Sequence, residues 1–60
     1  MWTLISTRVD NTQDSTIEAT FPEAVMTARQ LRDYPDVLKV EIYTPEGILL
    51  ATFTNYKGGQ

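Results

Sequence analysis

The chain has 60 residues, a net charge of −3, and neither cysteine nor histidine, which limits it to one domain and excludes disulfides, thiolate metal sites and imidazole metal sites. Hydrophobic residues make up 42% of it and charged residues 22%, the balance of a folded chain rather than a disordered one. An acidic protein lacks the basic surface that phosphate backbones and anionic lipids select, so the composition argues against nucleic acid and membranes as partners.

A chain this short buries only about 60% of the surface its unfolded form exposes, and small folds commonly add a staple. With disulfides and cysteine or histidine metal sites excluded, self-association is the staple to expect. No apolar run reaches the roughly 18 residues of a membrane span. The start, "MWTLISTRVD", lacks the basic and long apolar stretches of a signal peptide. The expected location is therefore cytoplasmic, in a cell or an infected host cell.

Met1–Val9 is rich in β-branched and aromatic residues and reads as a strand, with Trp2 and Leu4 on one face and Ile5 and Val9 on the other. The polar cluster "DNTQDS", Asp10–Ser15, reads as a turn. In "TIEATF" the period-two spacing of Ile17, Ala19 and Phe21 predicts a half-buried strand, antiparallel to the first. A helix follows. Thr20 and Glu23 stand at capping-box spacing, Pro22 fits the first turn, and Ala24, Val25, Ala28 and Leu31 form one apolar stripe. Pro35 ends the helix at or before Tyr34, because the residue preceding proline is pushed out of the α region.

In "DVLKVEIYT", Asp36–Thr44, the residues Leu38, Val40 and Ile42 alternate with Lys39, Glu41 and Tyr43. "TPEGI" then supplies Pro45 and Gly47 for a three-residue hairpin loop closed by a glycine bulge. A regular hairpin would pair Thr44 with Ile48, Tyr43 with Leu49, Ile42 with Leu50 and Val40 with Thr52. One face would then carry Leu38, Val40, Ile42, Ile48 and Leu50 beneath the helix. The opposite face would carry Val37, Tyr43, Leu49, Ala51 and Phe53. Residues 56–60 read as a flexible end of the single 1–60 domain. The expected architecture is α+β: a small antiparallel sheet, ββαββ, of about four strands with one helix on one face, its strand order left open.

Without histidine or cysteine the commonest general bases and nucleophiles are missing, and Ser6 and Ser15 have no evident activating base, so no catalytic residues are assigned and the chain reads as a non-enzyme. No cofactor or metal is implied. Asp10, Asp14 and Glu18 are spaced like part of a calcium loop, but the positions that demand glycine and glutamate hold Ser15 and Phe21. A solvated turn explains them better.

The second sheet face is the leading functional candidate. Covering Leu49, Phe53 and part of Tyr43 would contribute about 4–7 kcal/mol at about 25 cal/mol per Å², comparable to the net stability of so small a fold. Val37, Tyr43, Leu49, Ala51 and Phe53 are accordingly the candidate interface for self-association or a partner. The sequence thus reads as a homo-oligomeric interaction protein that binds a protein partner, of the small inhibitor or modulator type that phages and mobile elements encode. The alternative is an oligomer that sequesters a nucleotide-like or anionic small molecule at its subunit junctions, with Arg29, Arg32 and Lys39 as the contacts.

Overall fold

A computed structural model of the chain describes residues 1–55. The elements run β1 (Trp2–Arg8), β2 (Gln13–Glu18), α1 (Phe21–Arg32), β3 (Val37–Tyr43) and β4 (Leu49–Thr54). All strand pairings are antiparallel, and the sheet order is β2-β1-β3-β4. The fold is thus the expected small α+β ββαββ arrangement, and the order left open by the sequence is now set. The tail expected at 56–60 lies outside the described residues. Among the described residues no helix is long and apolar enough to cross a membrane.

The core lies between α1 and one face of the sheet. Leu4, Ala24, Ala28, Val37, Val40 and Ile42 are buried, and Trp2, Val25, Leu31, Ala51 and Phe53 pack around them. Alternation decides which face of each strand this is: Leu4 and Ser6 point inward from β1, Val40 and Ile42 from β3. Helix α1 meets the sheet through Ala24 and Ala28, whose small side chains allow a close approach over the two central strands. Its entrance carries the expected Thr20 cap: Glu23 N–H donates to the Thr20 hydroxyl oxygen at 3.4 Å, while the Glu23 carboxylate accepts from that hydroxyl, at 2.9 Å to Oε1. From mid-helix the Thr27 hydroxyl donates to Glu18 Oε2 at 2.8 Å, tethering α1 to β2.

The β1–β2 turn is tighter than expected, and β2 begins at Gln13, inside the predicted turn. Arg8 N–H donates to the Thr12 carbonyl at 2.9 Å, and Asn11 takes a positive φ of 70°, a conformation asparagine tolerates. Asp10 Oδ1 accepts from both the hydroxyl and the N–H of Thr12, at 2.6 and 3.1 Å. Two expectations are corrected here. Phe21 does not end β2; it opens α1 and sets its ring 5.0 Å from that of Trp2. Ile17 also faces away from the helix and is 60% exposed, because Thr16 and Glu18 pair with the inward Leu4 and Trp2.

The largest correction concerns β4. Tyr43 pairs with Leu49, as expected, but Ile42 pairs with Ala51 and Val40 with Phe53. Leu50 is therefore the extra residue of a β-bulge, and every side chain beyond it changes face relative to the regular hairpin. Ala51 and Phe53 turn toward the helix, while Thr52 and Thr54 turn to solvent. Ile48 and Leu50, expected beneath the helix, are instead 64% and 51% exposed. Burial explains the choice. The regular register would put the Thr52 hydroxyl against the core and the Phe53 ring in water; the bulged one reverses both and exposes Leu50 in exchange. A second irregularity, between β1 and β3, carries Arg8 opposite Val37 rather than Leu38 and leaves Val37 buried in the core.

The loop before β4 takes the predicted form. Gly47 N–H donates to the Thr44 carbonyl and Thr44 N–H to the Ile48 carbonyl, both at 2.8 Å, with Gly47 at φ +89°.

Two measurements test these local features. A Cβ at Gly47 would meet no atom within 4 Å, so Gly47→Ala carries only the backbone penalty. It is expected to cost about 1 kcal/mol and lower the thermal midpoint by about 4–8 °C. The Asp10 carboxyl is held below its ordinary value of 3.8 by the hydroxyl and then the N–H of Thr12. A depressed carboxyl contributes stability above its ordinary value and loses it as pH falls through the lowered one. An NMR titration should place the Asp10 midpoint below 3.8 and find it moved upward in Thr12→Val.

Candidate functional site

With one helix on one face, the other face of the sheet is uncovered among the described residues, and the pairings arrange its side chains in three rows. The first crosses β2, β1, β3 and β4 as Ile17, Thr3, Tyr43 and Leu49. The second is Ser15, Ile5, Glu41 and Thr52, and the third Gln13, Thr7, Lys39 and Thr54. The face is therefore graded along the strands. Its hairpin end is apolar; its opposite end is amide, hydroxyl and charge.

At the apolar end a shallow depression of about 320 Å³ is lined by Thr3, Ile5, Tyr43, Thr44, Pro45 and Gly47. The Thr44 hydroxyl oxygen accepts Ile48 N–H at 3.1 Å, which holds the loop over this depression. Leu49 stands beside Tyr43 at 46% exposure, and Ile48 follows the loop at 64%. At the polar end Gln13 Nε2 donates to the Thr7 hydroxyl oxygen at 3.1 Å, and Lys39 Nζ lies 4.0 Å from Glu41 Oε2. The Lys39 side chain is 45% exposed and that of Glu41 15%, so solvent screens the pair at its lysine end and it contributes little to stability.

The five candidate interface residues thus divide. Tyr43 and Leu49 lie on the open face. Val37, Ala51 and Phe53 belong to the helix side, the last two because of the bulge. Phe53 is also capped by the Arg32 guanidinium, 5.8 Å from the ring centroid. Thr3, Ile5, Pro45 and Ile17 join the site without having been singled out from the sequence. Ile17 was assigned to the wrong side of β2, and only the β1–β2 register, Thr3 opposite Ile17, brings it into the row.

The three cations of the anionic-ligand alternative do not converge. Arg29 and Arg32 are on α1, with Arg32 turned to Phe53 and 3.9 Å from Asp33 Oδ1. Lys39 is on the other side of the sheet beside Glu41. No single site within one chain gathers them. At the far end Arg8 is paired with Asp14 and lies 3.8 Å from Asp36, so Asp14 of the calcium-like stretch is engaged with a cation. Among the described residues no cluster of acidic side chains has the grouping of a metal site.

No family model, curated protein or solved structure matches this chain.

The division of β4 between two faces has a direct test. Phe53→Asp would drive a carboxylate into the core side and is expected to cost about 3–5 kcal/mol, a large part of the net stability of so small a fold. Leu49→Asp, on the solvent side, is expected to cost less than about 1 kcal/mol. Urea denaturation of both variants reads the difference; equal costs would contradict the bulged register.

Proposed function

We propose that the protein is a non-enzymatic protein-binding module that docks its partner on the apolar end of the open sheet face. The observation that carries this reading is the first row with the depression beside it. Tyr43, Ile5 and Pro45 line a hollow next to exposed Leu49 and Ile48, on the side of the sheet opposite the helix. Clusters of large apolar side chains with a polar rim are characteristic of contact surfaces, and tyrosine is among the side chains such surfaces favour.

The shape favours a protein over a small molecule. Small-ligand sites enclose most of their ligand, whereas this depression is shallow and open and suits an apolar side chain projecting from another surface. The charge pattern points the same way. The apolar row carries no charge, Lys39 and Glu41 on the same face offset one another, and the chain as a whole is acidic. A partner with an apolar knob in a neutral or mildly basic surround is complementary to this surface. A small acidic chain acting in this way would work by occupying a surface of its partner, as inhibitors and modulators of this size do.

Tyr43→Arg tests the assignment, since it fills the depression with charge at a half-exposed position. Immobilised parent chain is expected to retain a partner from a lysate of the source cell, and the variant to lose at least tenfold of that retention with an unchanged circular dichroism spectrum. If a folded variant retains the same proteins as the parent, the apolar end is not the contact surface.

A further inference from the structure

Beyond the open face, the sheet has two edges, β2 and β4, and they differ in chemistry. The β2 edge, "QDSTIE", carries Asp14 and Glu18. An antiparallel pair of β2 strands centred on Thr16 would set Asp14 of one copy opposite Glu18 of the other, a like-charge pairing that opposes association. The β4 edge, "LLATFT", contains no charge, proline or glycine, and every residue is apolar or β-branched. Charges and prolines are the usual means of blunting an edge. Among the described residues, nothing of that kind beyond the bulge at Leu50 protects this one.

The backbone phase of β4 sets which groups face outward. Asn55 N–H donates inward to the Leu38 carbonyl at 2.9 Å. In an antiparallel strand each residue points its N–H and C=O to the same side, alternating along the chain, so Phe53 and Ala51 also point inward to β3. Thr52 and Thr54 point outward, and no described strand lies on that side.

We propose that a second copy of the chain pairs its β4 antiparallel to this edge about a two-fold axis at Phe53, joining two sheets into one of eight strands. In that register Thr52 faces Thr54 of the second copy and Thr54 faces its Thr52. The outward N–H and C=O groups of both threonines, two donors and two acceptors per chain, are all satisfied by four hydrogen bonds. The bulge confines the pairing to the stretch beyond Leu50. Two-fold pairing closes on itself, whereas β4 joined to β2 would continue as an open filament. It also leaves the acidic β2 edges at opposite ends, about seven strand spacings or roughly 34 Å apart, several screening lengths at physiological salt. This surface is separate from the Tyr43 depression, so the inference does not rest on the partner-binding assignment.

The experiment is sedimentation equilibrium from micromolar to about 1 mM, because a dimer's population follows concentration. The parent is expected to reach twice its 6.8 kDa chain mass. A chain carrying both Thr52→Lys and Thr54→Lys sets like charges opposite one another and should sediment as a monomer, with unchanged circular dichroism because both side chains face solvent. A chain carrying both Thr52→Glu and Thr54→Glu should do the same. An equimolar mixture of the two should regain the doubled mass, a rescue that requires these positions to face each other across the junction. The proposal is overturned by a parent that stays monomeric throughout, by a folded lysine variant that still doubles its mass, or by a mixture that does not reassociate. A doubled mass lost in Tyr43→Arg but kept in the lysine variant would place the junction on the open face instead and overturn it too. Loss of partner capture by Tyr43→Arg with the doubled mass intact supports the separation of the two surfaces.

Discussion

The rest of this structure depends on the pairing of β4 with β3 across a one-residue bulge. "GILLATF" offers apolar side chains at every position from Ile48 to Ala51, so alternation does not specify which set turns inward. The choice falls to what lies beyond. Skipping Leu50 places the Phe53 ring against Val40 and under Arg32, and frees two threonine hydroxyls to water. It also brings Asn55 to a buried position where its N–H meets the Leu38 carbonyl and its side-chain amide the Tyr34 carbonyl at 2.8 Å. The amide thereby ties the end of β4 to the chain just after α1.

That register changes the economy of a very small core. Among the described residues only Leu4, Val40 and Ile42 of the larger side chains are fully buried, and the helix contributes alanines at its closest points. Phe53 and Ala51 are therefore needed at the margin of the core, together with Trp2 and Leu31. Placing them there relieves the surplus of apolar side chains that a regular hairpin would leave on the far face. What remains on that face is a compact apolar end around Tyr43, grading through Ile5 and Glu41 to the Thr7 and Lys39 end.

The same topology separates two surfaces. The open face exists because the helix is single and its stripe matches one side of β1 and β3. The β4 edge exists because the chain places the last strand of its second hairpin at the outside of the sheet, with β1 and β3 central. One surface offers side chains and the other backbone groups, so the proposed partner contact and the proposed self-pairing draw on different interactions and do not compete for the same atoms. Salt should affect both weakly, since neither is built on charge.

Residues close in sequence made much of this legible in advance. The helix cap of Thr20 and Glu23, the proline after the helix, the Pro45–Gly47 loop and the alternation of Val40 with Ile42 are local patterns. Local backbone preference and side-chain period suffice to determine them, and with them the ββαββ order and the α+β class. The tertiary structure alone decided the strand order, the inward side of β2 and the slip at Leu50, because each turns on competition between distant side chains for one small volume. Ile17 lost its place inside to Thr16 and Glu18 through the register with β1; Leu50 lost its place to Ala51 and Phe53 through the bulged register with β3. A chain with apolar residues on both sides of a strand leaves that competition open until the helix is in place.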